Sequence, residues 1–115
     1  MRIVSLRSRS PQAQPFGPVR VAERGWDRTR GLLGRPKLAA CEGLLIMRCS
    51  SVHTVGMRYP IDVVFLDRHG GIARVVESLR PMRMAMCLGA ASVLELAAGQ
   101  ARRLALSPGL QLSGW

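Results

Sequence analysis

Residues 42–70 read EGLLIMRCSSVHTVGMRYPIDVVFLDRHG and contain two apolar runs, at residues 44–47 and 61–66. Short runs rich in Val, Ile and Leu and bounded by Gly and Pro are typical of buried strands. A polar segment containing Gly56 and Pro60 joins them and carries the densest group of chemically capable side chains in the chain. Any binding site is therefore expected between these two strands.

A β-hairpin is predicted directly after this segment. The polar residues 67–69 and two glycines separate the run 61–66 from a second apolar run at residues 72–77. Such a cluster between two strands is a turn signal. Asp27 is well placed to begin a short helix over residues 28–33 that Gly34 would end, and residues 99–105 suit a second short helix burying Ala101 and Leu104.

A boundary between an N-terminal arm and the main domain is predicted near Val19. Residues 1–18 are interpreted as an arm or edge strand followed by a Pro- and Ser-rich loop, and residues 19–115 as one β-rich domain. Val19 and Val21 alternate with polar or small neighbours at the period of a strand, and residues 110–112 are expected to close the sheet.

Composition favours an ordinary globular domain with a basic surface. The chain has 115 residues, 48% of them hydrophobic and 21% charged, and a formal net charge of +10. A basic surface attracts polyanions. All basic residues except Lys37 are Arg, however, and they are spread along the chain without an aromatic stacking set. Anion or nucleic-acid binding therefore stays an alternative and not the first hypothesis.

The three cysteines, Cys41, Cys49 and Cys87, form no C-x-x-C pair, so reduced thiols are expected and no metal site or cofactor is predicted. Cys49 and His53 give only a C-x3-H spacing. The N-terminus develops no apolar secretory segment, and no apolar run approaches the ~20 residues of a membrane-spanning helix. A soluble, cytoplasmic protein is the resulting expectation.

Several segments together resemble one uncharacterised prokaryotic family, domain of unknown function 192. The segments that carry the resemblance are RGLLGR at residues 30–35, EGLL at 42–45, VHTVGMRYPIDVVFLD at 52–67 and VLEL at 93–96, with Gly99 and Gly109. The family implies a mainly β domain of barrel-like or sandwich form with one or two short helices, and it implies that residues 92–98 form a strand. Many relatives read Trp-Met-Lys-Asn-Thr where this chain has residues 53–57, and the family implies no activity.

The candidate ligand-binding residues all lie in or beside the polar segment: His53, Thr54, Met57, Arg58 and Asp62. Donors, one cation and one carboxylate over an apolar floor are the usual components of a pocket. Asp62 has a second interpretation, as a carboxylate that holds a turn. Met82, Met84 and Met86 alternate at strand spacing, which favours core or edge packing over a soft-metal face.

No complete catalytic set can be assembled from these residues, so catalytic residues are not assigned. We therefore interpret the chain as a small binding or accessory module for an unknown small molecule or protein, with a polar pocket around residues 53–62. The alternatives are a basic anion- or nucleic-acid-binding protein and an enzyme of unassigned chemistry.

Overall fold

A computed structural model describes residues 1–9, 16–25, 37–40 and 42–115 of the protein. Within these ranges the chain forms short strands and one short helix. In chain order they are β1 (Arg2–Ser5), β2 (Arg7–Ser8), β3 (Pro18–Ala22), β4 (Gly43–Met47), β5 (Ser51–His53), β6 (Ile61–Leu66), β7 (Ile72–Leu79), β8 (Met84–Met86), β9 (Ser92–Ala97), α1 (Gln100–Arg103) and β10 (Leu112–Ser113).

Six strands form the main sheet, in the order β1-β3-β4-β9-β6-β7. β3 and β4 run parallel, and the other neighbouring pairs run antiparallel. Two smaller sheets, β5–β8 and β2–β10, have two strands each. β9 lies between β4 and β6, so its side chains project into the middle of both faces of the main sheet.

The predicted hairpin is confirmed. β6 pairs with β7 in antiparallel register, and the turn at residues 67–71 joins them. Asp67 Oδ1 accepts hydrogen bonds from the backbone N–H groups of His69 at 2.8 Å and Gly71 at 2.9 Å. These bonds hold the pKa of Asp67 below its usual value. Gly70 adopts a φ of +86°, which favours glycine because it lacks a Cβ.

The main sheet has two buried faces. The first, which we call the helix face, packs against α1 and the C-terminal residues; its core residues include Leu45, Val64, Leu66, Leu94, Leu96, Ala101, Leu104 and Leu112. The second, which we call the β5–β8 face, packs against the inner side chains of that small sheet; its core residues are Ala22, Leu44, Ile46, Val52, Ile61, Val63, Phe65, Ala85 and Val93. Alternation along each strand sends neighbouring residues to opposite faces.

The expectation of a mainly β, compact chain is confirmed, as are the strand at residues 92–97 and a short helix inside residues 99–105. The sheets are not closed into a barrel, because β1 and β7 lie at opposite ends of the strand order. Residues 110–112 were expected to close the main sheet; instead β10 pairs with β2 in a separate sheet. The helix predicted over residues 28–33 lies outside the described residues.

Candidate ligand-binding site

Asp62 is fully buried and connects two distant segments. Its neighbours Ile61 and Val63 point to the β5–β8 face, so the Asp62 side chain points to the helix face. Oδ1 accepts a hydrogen bond from the Ser78 N–H at 2.8 Å, and Oδ2 accepts one from the Ala101 N–H at 2.9 Å. Both carboxylate oxygens are thus used within the fold.

Thr54 is also fully buried and bonded to backbone groups. Its Oγ1 donates to the carbonyl oxygen of Arg80 at 2.6 Å and accepts from the Arg83 N–H at 2.9 Å. The Thr54 carbonyl oxygen accepts from Met57 N–H at 3.1 Å and Met82 N–H at 3.2 Å. Thr54 therefore fixes the loop at residues 54–57 against the turn at residues 80–83.

The other three predicted residues have different surroundings. Met57 is half-buried against the β5–β8 face, whereas His53 and Arg58 are exposed. His53 lies opposite Met84 on the outer side of the β5–β8 sheet. The structure thus brings Thr54, Met57 and Arg58 into one loop, but it places Asp62 on the opposite face of the main sheet and His53 on an outer surface.

Glu95 is the most unusual side chain in the described part of the chain. It lies in β9 between Leu44 of β4 and Val63 of β6, on the β5–β8 face, and only 5% of it is exposed. Among the described residues, nothing donates a hydrogen bond to its Oε2. Burial raises the pKa of Glu95 to about 7, because the charged carboxylate has lost its water.

Tyr59 provides a second buried polar atom close to the first. Its hydroxyl oxygen is shielded from solvent and has no hydrogen-bond partner among the described residues. Burial raises the pKa of Tyr59, and the negative charge of Glu95 raises it further, so the two groups are within electrostatic reach. The Lys37 Nζ lies 5.7 Å from the centre of the Tyr59 ring.

Glu95 and Tyr59 form a site that sequence reasoning missed, which we call the Glu95 site. Buried polar atoms are nearly always hydrogen-bonded to protein or to ordered water, so two in an apolar setting with no partner among the described residues mark a candidate site. A carboxyl group near its pKa accepts or donates a proton, and a phenol does both in hydrogen bonding. The signal available in the sequence was a Glu between two leucines, in the VLEL segment that the family resemblance marks as a strand.

The other candidate features are weaker. No group of three or more His, Cys, Asp or Glu side chains in the described ranges could hold a metal ion. One surface cleft lies beside the ion pair of Arg2 with Glu23, and another lies between β7 and the residues that follow α1. None of the five predicted site residues lines either cleft.

Comparison with known families gives one match that spans most of the chain. Residues 6–114 match the family DUF192, described as an uncharacterized ACR. The chain belongs to this family. The resemblance inferred from the sequence is thereby confirmed, and DUF192 is a family of unknown function. None of the curated proteins compared with this DUF192 chain matches it.

Solved structures show the same fold. A protein of unknown function from Novosphingobium aromaticivorans DSM 12444 is 21% identical, with a TM-score of 0.86 over 98% of this chain and 85% of that one. A "putative transcription regulator" from Sinorhizobium meliloti 1021 is 26% identical, with a TM-score of 0.86 over 98% and 94%. A "putative exported protein" from Burkholderia pseudomallei K96243 is 15% identical, with a TM-score of 0.51 over 98% and 24%.

Within the described ranges of the chain, no helix is long and apolar enough to cross a bilayer.

Proposed function

We propose that this DUF192 chain is a small-ligand-binding module and that its ligand presents a cationic amine or guanidinium group to Glu95. The observation that carries the proposal is a pair of buried polar atoms, Glu95 Oε2 and Tyr59 Oη, for which the described part of the chain provides no hydrogen-bond partner. The proposal keeps the expected binding module but centres it on residues outside the predicted set, with Met57 and Tyr59 as the part of the 53–62 segment that faces the site.

The charge of the ligand follows from the cost of burying a carboxylate. An unpaired charge in an apolar environment is strongly unfavourable, and the pKa of about 7 reflects that cost. A ligand cation would compensate the negative charge and donate to Oε2 at once, whereas a ligand anion would add repulsion. A neutral donor would satisfy the hydrogen bond but leave the charge uncompensated.

We infer that a ligand would reach Glu95 beside Tyr59. The Tyr59 ring is half-buried against the same face of the main sheet, and Lys37 beside it is exposed. Met57 packs against the same face and offers an adaptable apolar wall. The exposed Arg58 follows Met57 in the same loop, where it would contact any acidic group at the outer end of a ligand.

The test compares matched cationic and neutral probes. Agmatine and n-butylamine should raise the melting temperature of the protein at pH 8, while n-butanol should not. Glu95 loses its proton as the pH rises through about 7, so most of it is uncharged at pH 6. The increase in melting temperature caused by the cationic probes should therefore be smaller at pH 6 than at pH 8.

Glu95→Gln should abolish the shift, and Tyr59→Phe should reduce it. Glu77→Gln is the matched control, because Glu77 is a partly exposed acid that pairs with Arg102 at 3.5 Å. Equal responses of the wild type and Glu95→Gln to agmatine would refute the proposal.

A second candidate is general acid–base catalysis by the same group. A carboxyl pKa of about 7 matches the working range of an acid–base catalyst, and Tyr59 would be its neighbour in the reaction. This candidate requires a substrate that the protein converts. The rate of that conversion should depend on pH with a midpoint near 7, and Glu95→Gln should remove this pH dependence.

Nucleic-acid binding and a cytoplasmic location are further proposals. Nucleic-acid binding is supported by the net charge of +10 and by the name of the Sinorhizobium protein, a putative transcription regulator. Salt-sensitive retention on a polyanion column at physiological ionic strength would favour nucleic-acid binding.

A cytoplasmic location is proposed from the sequence expectation, and cell fractionation of the producing bacterium tests it.

A further inference from the structure

The outer side of the β5–β8 sheet carries methionines and a histidine in register. His53 lies directly opposite Met84, and Ser51 lies opposite Met86. The alternate residues Val52 and Ala85 are buried against the main sheet, so His53, Met84 and Met86 share the outward side. This side faces away from Glu95, and its chemistry is independent of the function proposed above.

The exposure of these methionines is unusual. Met82, Met84 and Met86 have 64%, 66% and 51% of their surface exposed, although Met is among the residues most often buried. Met47 and Met57, by contrast, are half-buried against the core. Of the two packing roles expected from the sequence, core or edge, these exposures leave only a position at the edge, and the three thioethers are available to an external partner.

The spacing allows the donor atoms to converge. Side chains directly opposite one another on antiparallel strands have Cβ atoms about 5 Å apart, and residues two apart on one strand lie about 7 Å apart. Met has three rotatable bonds and reaches across such distances. The Sδ atoms of Met84 and Met86 and an imidazole nitrogen of His53 can therefore meet at one point above the strand pair.

The type of ion follows from the donors and the local charge. Thioethers are soft ligands that select Cu(I). Arg74 donates through Nη1 to the Met86 carbonyl oxygen at 2.6 Å, and Arg83 donates to the Met82 carbonyl oxygen at 3.3 Å. These guanidinium cations repel a divalent ion twice as strongly as a monovalent one at the same distance.

We propose that His53, Met84 and Met86 form a binding site for a monovalent soft metal ion, Cu(I), with Met82 as an additional thioether at its edge. From the sequence alone, core or edge packing of these methionines was favoured over a soft-metal face. The structure supports the soft-metal face, because it leaves the thioethers at the surface and places the imidazole opposite one of them.

The experiment uses Ag(I) as a stable mimic of Cu(I) and reads each methionine separately. The protein has six methionines, so ¹³C-methyl labelling gives six resolvable ε-methyl signals. Titration with Ag(I) should shift the Met84 and Met86 signals and leave Met47 and Met57 unchanged. The cysteines are alkylated first, which removes competing thiols. The proposal would be overturned if the alkylated protein no longer bound Ag(I), or if Ag(I) bound without shifting the Met84 and Met86 signals.

Matched variants separate a metal site from an apolar docking surface. Met84→Leu/Met86→Leu keeps the apolar surface but removes both thioethers. Changes outside the first ligand shell already cost ~10–100-fold in metal affinity, so this variant should lose at least about that much against a competing Cu(I) chelator. His53→Gln should weaken Cu(I) binding, while His69→Gln, which changes the other histidine, should not. Unchanged Cu(I) affinity in the double Leu variant would refute the site.

Discussion

Asp62 and Ala101 are 39 residues apart in the chain, yet Asp62 Oδ2 accepts a hydrogen bond from the Ala101 N–H at 2.9 Å. Gly99, which precedes α1, has no side chain to cap the helix, so the Asp62 carboxylate takes that role from another strand. The other carboxylate oxygen binds the N–H of Ser78, which has a φ of 51° beside the register shift between β6 and β7. One buried side chain thus stabilises a β-bulge and a helix start together.

Asp62→Asn should destabilise the protein without any ligand present. The amide has one acceptor oxygen in place of two, so one of the two backbone N–H groups would face an NH2 donor in a buried site. The expected loss in the free energy of unfolding is ~1–3 kcal/mol, measured by urea denaturation. Asp67→Asn is the control, because that carboxylate also accepts two backbone N–H groups but lies in the half-buried hairpin turn. A smaller effect at Asp62 than at Asp67 would contradict the assigned role.

Glu95 should make the stability of the protein fall as the pH rises through neutrality. Its pKa is raised from 4.5 to about 7, so between these values the folded protein holds a proton that the unfolded chain releases. The free energy of unfolding should therefore decrease between about pH 5 and pH 8, by about 3 kcal/mol at most. Denaturant titrations at several pH values measure this slope.

Glu95→Gln should remove this slope, and above pH 7 the variant should be more stable than the wild type, because the buried charge is gone. Glu77→Gln should keep it. If Glu95→Gln retains the full pH dependence, the raised pKa belongs to another group and the Glu95 site loses its electrostatic basis.

Truncation in the two buried faces should cost similar amounts of stability. Phe65 belongs to the β5–β8 face and Leu94 to the helix face, and both are fully buried. Phe65→Ala and Leu94→Ala should each lower the free energy of unfolding by ~2–5 kcal/mol through lost burial and the cavity left behind. Ile3→Ala, at a residue 65% exposed in β1, should have little effect. If only one of the two truncations lowered the free energy of unfolding, the two cores would not unfold together.

The parts of the fold that the sequence predicted are those in which neighbouring residues carry the information. The β6–β7 hairpin follows from two apolar runs and a glycine turn, and its Asp67 bonds span only two and four residues. The Asp62 hydrogen bonds span 16 and 39 residues, so the local sequence around Asp62 does not predict their partners. The assignment of residues 92–98 as a strand came from the family resemblance, since their composition also suits a helix.

The candidate site was harder to predict for a related reason. Alternation in β9 places Leu94 and Leu96 on one face and Glu95 on the other, which reads as a half-exposed strand. Glu95 is buried because that second face is covered as well, with Val52 and Ala85 of the β5–β8 sheet in its core, and this packing is not visible in the spacing of β9. The methionines show the converse case: their alternation matches the observed strand β8, but the outward side of β8 has no covering layer among the described residues, so the choice between core and edge packing could not be made from the spacing.

Gly70 and Gly89 give a matched test of how the hairpin turn is held. Both have a φ of +86°, so an Ala at either position pays the cost of a left-handed backbone, about 1 kcal/mol. A Cβ at Gly89 would meet no atom within 4 Å, whereas a Cβ at Gly70 would clash with the carbonyl oxygen of Leu112 and lie 2.9 Å from the Trp115 ring. Gly70→Ala should therefore lower the melting temperature clearly more than Gly89→Ala.

The additional loss of stability in Gly70→Ala should come from displacement of the C-terminal residues, because the Leu112 N–H donates to the Gly70 carbonyl oxygen at 2.9 Å. Amide hydrogen exchange at Leu112 measures that displacement, and equal exchange rates in the two variants would show that the turn does not depend on this contact.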